Sequence, residues 1–197
     1  MPAERSPNVV WQKQIDRAQR FELLGHSGAT IWMTGLPGSG KSTIAAGVEA
    51  SLLDAGRGAY VLDGDNLRHG LNGDLGFSAT DRTENVRRTA EVSALLADAG
   101  VVVLVALVSP YRADRDAARA VHAARGLPFL EVHVATSLEE CERRDPKGLY
   151  ARARAGEITG LTGVDDPYEP PESPDLVVGA GEPVEDAVAA VLAALPR

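Results

Sequence analysis

The chain has 197 residues, a formal net charge of −8 and a single cysteine, with 44% hydrophobic and 24% charged residues. That balance suits one folded α/β domain and excludes wholesale disorder, while one cysteine excludes an intrachain disulfide framework and a multi-cysteine zinc site. The negative charge argues against nucleic acid as a partner, and the longest apolar run, 101–108, is too short to cross a bilayer. With no secretory signal at the N-terminus, a cytoplasmic location without membrane or nucleic-acid partner is expected.

The charge is uneven. From Asp165 onward the acids Asp165, Asp166, Glu169, Glu172, Asp175, Glu182, Glu185 and Asp186 face only Arg197, leaving the rest of the chain nearly neutral. Arg143, Arg144, Lys147, Arg152 and Arg154 have only Asp145 among them as a counter-charge. This basic stretch reads equally as an anion-binding face or a solvated helix face.

Residues 1–28 read as an N-terminal arm or short helix. Residues 29–34 form a short apolar strand ending in a glycine-rich turn, and Ile44, Val48 and Leu52 recur at helical spacing, predicting a helix over 41–55. A second strand at 59–62 stops at Asp63-Gly64-Asp65-Asn66. Asp81 with Glu84 resembles a capping box opening a helix that reaches Ala99. Residues 101–108 are apolar on both faces, as in a central parallel strand, and 112–125 read as helix. Strands follow at 129–134 and 176–178, with Cys141 on a short helix as a packed residue. A closing helix at 184–195 carries Val184, Val188, Val191, Leu192 and Leu195 on one face. Alternating strands and helices predict a parallel sheet covered on both faces.

Gly35-Leu36-Pro37-Gly38-Ser39-Gly40-Lys41-Ser42, followed by Thr43, fits the G-x-x-x-x-G-K-[ST] phosphate-binding loop, with a strand before it and a helix after. Such glycines let backbone N–H groups turn toward phosphate oxygens at a helix N-terminus. Lys41 reaches the β- and γ-phosphates, and the Ser42 hydroxyl suits magnesium. The N-K-x-D base-reading motif of GTPases is absent from the sequence, so a small-molecule kinase using ATP and magnesium is the better reading.

Asp63 and Asp65 stand at the carboxyl edge of the second strand, where open α/β sheets bind ligands, and in extended chain they point the same way. One would orient an acceptor hydroxyl or take its proton, and the other would hold a magnesium-bound water; Asp63 is the better candidate, since Asp65 reads equally as a helix cap. Arg82 and Asn85, three apart on one helix face, together with Arg68, suggest grip on a second anionic group. Their face is expected to lie away from the stripe carrying Val86 and Ala90. Phe77 is a loop aromatic able to stack on a base. His26, His69, His122 and His133 lack metal-ligand spacing, and Trp11 and Trp32 read as packing residues.

Longer words carry a specific resemblance. Residues 62–72 (Leu-Asp-Gly-Asp-Asn-Leu-Arg-His-Gly-Leu-Asn), Asp74-Leu75-Gly76-Phe77-Ser78, Asp81-Arg82 with Glu84-Asn85, Ser109-Pro110-Tyr111-Arg112, residues 144–150 and residues 162–169 follow in unbroken order, after Asn8-Val9-Val10-Trp11. Together they resemble the adenylylsulfate kinase family.

That resemblance implies transfer of the γ-phosphoryl of ATP to the 3′-hydroxyl of adenosine 5′-phosphosulfate in sulfate assimilation. It further implies a homodimer and an association with ATP sulfurylase. It implies a three-layer α/β P-loop fold like that of nucleoside triphosphate hydrolases, with a five-stranded parallel sheet in the order 2-3-1-4-5 and helices on both faces. The kinase domain would span 29–197, with a lid at about 145–169. Residue by residue, Arg68, Arg82 and Asn85 would hold the phosphosulfate, Phe77 would stack on its adenine, Lys147 would lie in the lid and Arg144 would flank the ATP adenine. Ser109 takes the place of a phosphoserine intermediate, although in-line transfer needs only positioning and charge neutralisation, so it serves equally as a hydrogen-bond partner of the substrate. The chain departs from the family at Pro37, usually serine, which removes a backbone N–H donor. It departs again at Leu161, usually the phenylalanine on the second face of the adenine. The rival readings are a kinase for another hydroxylated metabolite and a regulatory nucleotide-binding module; the intact Lys41-Ser42 pair argues against the latter.

Overall fold

The computed structural model describes residues 8, 10, 12 and 14–195; the arm's Val9 and Trp11 lie outside them. In chain order the elements are α1 (Arg17–Leu24), β1 (Ala29–Thr34), α2 (Lys41–Asp54), β2 (Ala59–Asp63), α3 (Gly64–Leu67), α4 (Ala79–Asp98), β3 (Val102–Ala106), α5 (Arg112–Ala123), β4 (Phe129–Val134), α6 (Leu138–Arg144), α7 (Leu149–Arg154), β5 (Leu176–Val178) and α8 (Val184–Ala194). All five strands are parallel, in the order β2-β3-β1-β4-β5, as the resemblance implied.

Strand alternation sorts side chains into two cores. Ile31, Met33, Val102, Leu104 and Val132 point to the face covered by α2 and α8, where Ile44, Val48, Ala187 and Val191 meet them. Trp32, Val103 and Val105 point to the other face, covered by α4 and α5 through Val86, Ala90, Ala94 and Ala118. β1 is buried at every residue and hydrogen-bonded on both edges, which accounts for the near-continuous apolar run of a central parallel strand.

Several boundaries differ from the sequence reading. The capping box of α4 is Ser78 with Asp81: the Ser78 hydroxyl accepts from Asp81 N while Asp81 accepts from Ser78 N. Glu84 instead pairs with Arg87 and Arg88. The strand expected to run to Val108 ends at Ala106, because the Thr34 hydroxyl draws the Val108 carbonyl aside at 2.8 Å. Of the apolar face of α8, Val191 is buried whereas Val184 remains exposed. The arm contributes α1, capped by Asp16 and tied down where Arg20 donates to the Asp98 carbonyl at 2.6 Å. No helix among the described residues is long and apolar enough to cross a membrane.

Between α4, α5 and β1 lies a fully buried imidazole, His122. Its Nδ1–H donates to the Ala118 carbonyl at 2.8 Å, so Nε2 accepts from the Thr30 hydroxyl at 2.9 Å. Burial disfavours its charged form and lowers its pKa below 6.5. The unfolded chain therefore binds this proton first, and stability present above pH 6.5 is lost as pH falls below it. That window lies above the titration of Glu84, which Arg87 and Arg88 hold at about 2. Chemical denaturation between about pH 7 and 5 should show this decline, with a flatter profile for His122→Asn; identical slopes would remove His122 as its source.

Candidate active site

β1, β2 and β3 deliver their carboxyl ends to one edge, and the phosphate-binding loop starts there. At Gly35 φ is 155° and a Cβ would lie 2.6 Å from the Val134 carbonyl oxygen, so only glycine permits this close passage. Gly40, at φ 106°, caps α2. Pro37 and Ser39 are held through their carbonyls by the Tyr150 hydroxyl at 2.9 Å and the Thr136 hydroxyl at 2.9 Å. Ser42 and Thr43 are exposed at the loop mouth.

Lys41 is buried inside the loop. Its Nζ donates to the Gly35 carbonyl at 2.9 Å, the Leu36 carbonyl at 2.8 Å and Ser39 Oγ at 3.2 Å. Burial lowers its pKa from 10.5 to about 8, with Cys141 and Asp63 opposing the shift.

The two candidate acids have separate partners. Asp63 Oδ2 accepts from Ser42 Oγ at 2.6 Å, and its Oδ1 accepts from Asp65 N at 2.9 Å, so Asp63 caps α3. The cap expected of Asp65 thus belongs to Asp63, because the chain turns into a helix at Gly64 and the two side chains do not share an extended face. Asp65 pairs instead with Lys147 of the 145–169 segment, across the cleft.

Of the residues expected on the acceptor side, Arg68, Phe77 and Arg82 meet one another, whereas Asn85 and Ser109 have other partners. Arg68 lies 4.1 Å from the Phe77 ring centroid and donates to the Leu75 and Gly76 carbonyls. Arg82 donates to Phe77 O at 3.0 Å and Gly160 O at 2.5 Å, and pairs with Asp166. Phe77 is 61% exposed, the wrong place for a core residue, with the guanidinium groups of Arg68 and Arg82 over its ring. Asn85 Oδ1 accepts from Asn72 Nδ2 at 2.8 Å, an orienting partner that sequence reasoning missed, since a buried amide leaves no pattern. Arg82 and Asn85 do not lie away from the buried stripe: with Val86, Thr89 and Ala90 they extend it to the carboxyl edge. Ser109 is 3% exposed, and Trp32 Nε1 donates to its hydroxyl oxygen at 3.1 Å.

Leu161, where the resemblance sets the second face of the adenine, is buried with Cys141 and Tyr150, against Leu36 and Val164, because an aliphatic side chain gains most by filling the contact between segment and loop. One expectation needs correction. The basic stretch is not short of counter-charge: Arg143 and Arg144 pair with Glu140, Arg154 with Glu142 and Arg152 with Glu157, all acids outside the counted window. Arg144 closes α6, with its guanidinium held by Glu140 at 2.7 Å and about a third exposed. Among the described residues no group of three or more His, Cys, Asp or Glu side chains can hold a metal ion.

Because the Lys41 pKa is lowered, stability from this group rises with pH between about 8 and 10.5, where only the unfolded chain keeps the proton. A polyphosphate beside the ammonium raises the pKa again. Nucleotide binding at about pH 8.5 should therefore take up roughly half a proton or more, read by calorimetry in buffers of different ionisation enthalpy. Lys41→Met should abolish the uptake; a parent protein showing none would contradict the lowered value.

Comparison with known proteins agrees with this geometry. The adenylylsulphate kinase family matches residues 27–179. The chain is 48% identical over 197 residues to the adenylyl-sulfate kinase of Geotalea uraniireducens, covering 99% of this chain and 94% of that protein. It is 57% identical over 171 residues to the bifunctional enzyme CysN/CysC of Mycobacterium tuberculosis, covering 87% of this chain and 27% of the longer protein. The Mycobacterium tuberculosis APS kinase CysC, solved in complex with AMPPNP and APS, superposes with a TM-score of 0.84 at 55% identity, covering 86% of this chain and 98% of that one. With its phosphate-binding loop and this likeness over nearly its whole length, the chain belongs to the adenylylsulphate kinase family.

Proposed function

We infer how the residues at this edge carry out the family's reaction. The chain is an ATP-dependent kinase: it moves the γ-phosphoryl of ATP to the 3′-hydroxyl of adenosine 5′-phosphosulfate, giving 3′-phosphoadenosine 5′-phosphosulfate. The observation that carries the assignment of roles is the convergence of three distant segments. Ser42 of the loop meets Asp63 at 2.6 Å, while Lys147 of the 145–169 segment meets Asp65.

In this reading residues 35–43 hold the ATP phosphates through backbone N–H groups, and Lys41 leaves the loop carbonyls to neutralise charge on the transferring group. Asp63 orients the 3′-hydroxyl. Ser42 and Asp63 fit magnesium, because one hydroxyl and one carboxylate adjoin at a site that nucleotide phosphates would complete. Bound there, the ion would neutralise charge on the β- and γ-phosphates. Arg68, Arg82 and Asn85 take the phosphosulfate, Phe77 stacks on its adenine, and Ser109 hydrogen-bonds the acceptor. Arg144 flanks the adenine of ATP. Residues 145–169 act as the lid on the 29–197 kinase domain, with Lys147 closing on Asp65 and Leu161 seating the lid against Leu36. A homodimer, a cytoplasmic setting and an association with ATP sulfurylase complete the proposal; the fused CysN/CysC relative is a parallel for such an association.

A coupled assay of ADP release should show turnover that depends on adenosine 5′-phosphosulfate; equal turnover with other hydroxylated acceptors would favour the rival kinase. Lys41→Ala should lower turnover by on the order of 10²-fold or more while the protein stays folded; near-normal turnover would end the role given to the loop. Asp63→Asn keeps shape and removes charge, so turnover should fall far more than ATP affinity. If Asp65→Asn is the severe variant and Asp63→Asn the mild one, the two acids exchange roles.

A further inference from the structure

Ser109 stands in a backbone conformation that side chains disfavour. Its φ is 38°, in the left-handed region, and such strain persists only where the surroundings hold it. Three buried donors do so: the Thr34 hydroxyl, at 3.4 Å from the Ser109 carbonyl, and two closer ones. Trp32, fully buried and stacked on Phe129 at 5.8 Å, gives its Nε1–H to Ser109 Oγ at 3.1 Å. Arg115, 1% exposed, gives Nη1–H to the Ser109 carbonyl at 2.7 Å. The guanidinium is itself fixed by Nε–H to Glu131 at 2.7 Å and by Nη2–H to the Glu169 carbonyl at 2.7 Å.

The chemistry of the indole decides the direction of the serine proton. An indole N–H only donates, so Ser109 Oγ accepts from Trp32 and its own O–H turns elsewhere. Among the described residues the one hydrogen bond to Ser109 Oγ is that from Trp32, so its proton is left for a ligand. We propose that Trp32 and Arg115 are positioning residues of the kinase: they hold Ser109 in its strained conformation with the hydroxyl presented as a hydrogen-bond donor to the anionic acceptor substrate. This rests on the placement of Ser109 in the acceptor site made above. Arg115 does a second task with the same group, since its bond to Glu169 joins the end of the 145–169 segment to the Ser109 turn.

The test is a double-mutant cycle on purified full-length protein, with adenosine 5′-phosphosulfate varied at saturating ATP. Trp32→Phe keeps the ring and removes the N–H; Ser109→Ala removes the hydroxyl. Each should lower kcat/KM for the acceptor by about five- to thirtyfold, with KM for ATP within about twofold of the parent. The double variant should be no worse than Ser109→Ala, because Trp32 acts only through that hydroxyl. Multiplying losses would make Trp32 merely structural and overturn the proposal. An impaired Ser109→Ala beside an unimpaired Trp32→Phe would keep Ser109 in the site and reject its positioning by Trp32. A Ser109→Ala variant like the parent would remove both. Should Trp32→Phe fold poorly, Ser109→Gly against Ser109→Ala still decides the strain: neither has the hydroxyl and glycine alone relaxes φ, so Ser109→Gly should unfold at the higher temperature. Equal unfolding temperatures would overturn the proposal.

Discussion

β1 has no exposed residue, and both of its edges are engaged, by β3 on one side and β4 on the other. Everything at the carboxyl edge takes its position from where this strand stops. The chain leaves it at Gly35, so close to the Val134 carbonyl that a side chain would not fit, and the loop that follows wraps Lys41. Because the ammonium sits among backbone carbonyls away from water, burial lowers its pKa. The same desolvation makes the interior of the loop a place where a phosphate anion and an ammonium would strengthen one another.

The segment after Asp145 is joined to this frame by contacts of different strength. Tyr150 is buried, and its hydroxyl reaches the Pro37 carbonyl; Arg82 grips Gly160 and Asp166; Arg115 holds the Glu169 carbonyl. These are part-buried or buried donors, which are expensive to leave unmade. The Lys147–Asp65 pair, by contrast, is more than half exposed on both sides, and such pairs contribute little to stability. That asymmetry suits a segment that is seated at its ends by buried groups and presents its lysine where a charged ligand would compete for it. The remaining cations of the stretch are neutralised by neighbouring acids, so the net field at the mouth comes from few groups.

The substrate side proposed above depends on buried polar groups that are themselves oriented. Asn72 sets the amide of Asn85, and Trp32 sets the hydroxyl of Ser109. In both cases a buried neighbour, Trp32 among them a residue that reads as core packing, directs the polarity of a group at the edge. Sheet packing thereby reaches the chemistry through hydrogen-bond direction as well as through shape.

Local pattern alone determined the strands, the long helices and the phosphate-binding loop, because strand period, helix period and loop glycines are short-range properties of the chain; the family came from the resemblance of its longer words. Local pattern placed residues 129–134 and 176–178 as strands with the bounds later observed. Tertiary structure alone decided which acid faces which partner. Asp63 and Asp65 are two apart in sequence, yet the turn at Gly64 sends one to Ser42 and the other to Lys147, 82 residues away. It also put Leu161 in the contact with Leu36, moved the α4 cap to Ser78 and gave Trp32 a polar task within the core. Helices α3 and α7 have only four and six residues, too short for periodicity to declare them, and they form because caps and packing hold them. Which partner a side chain meets depends on the path of the chain between them, and that path is a property of the packed whole.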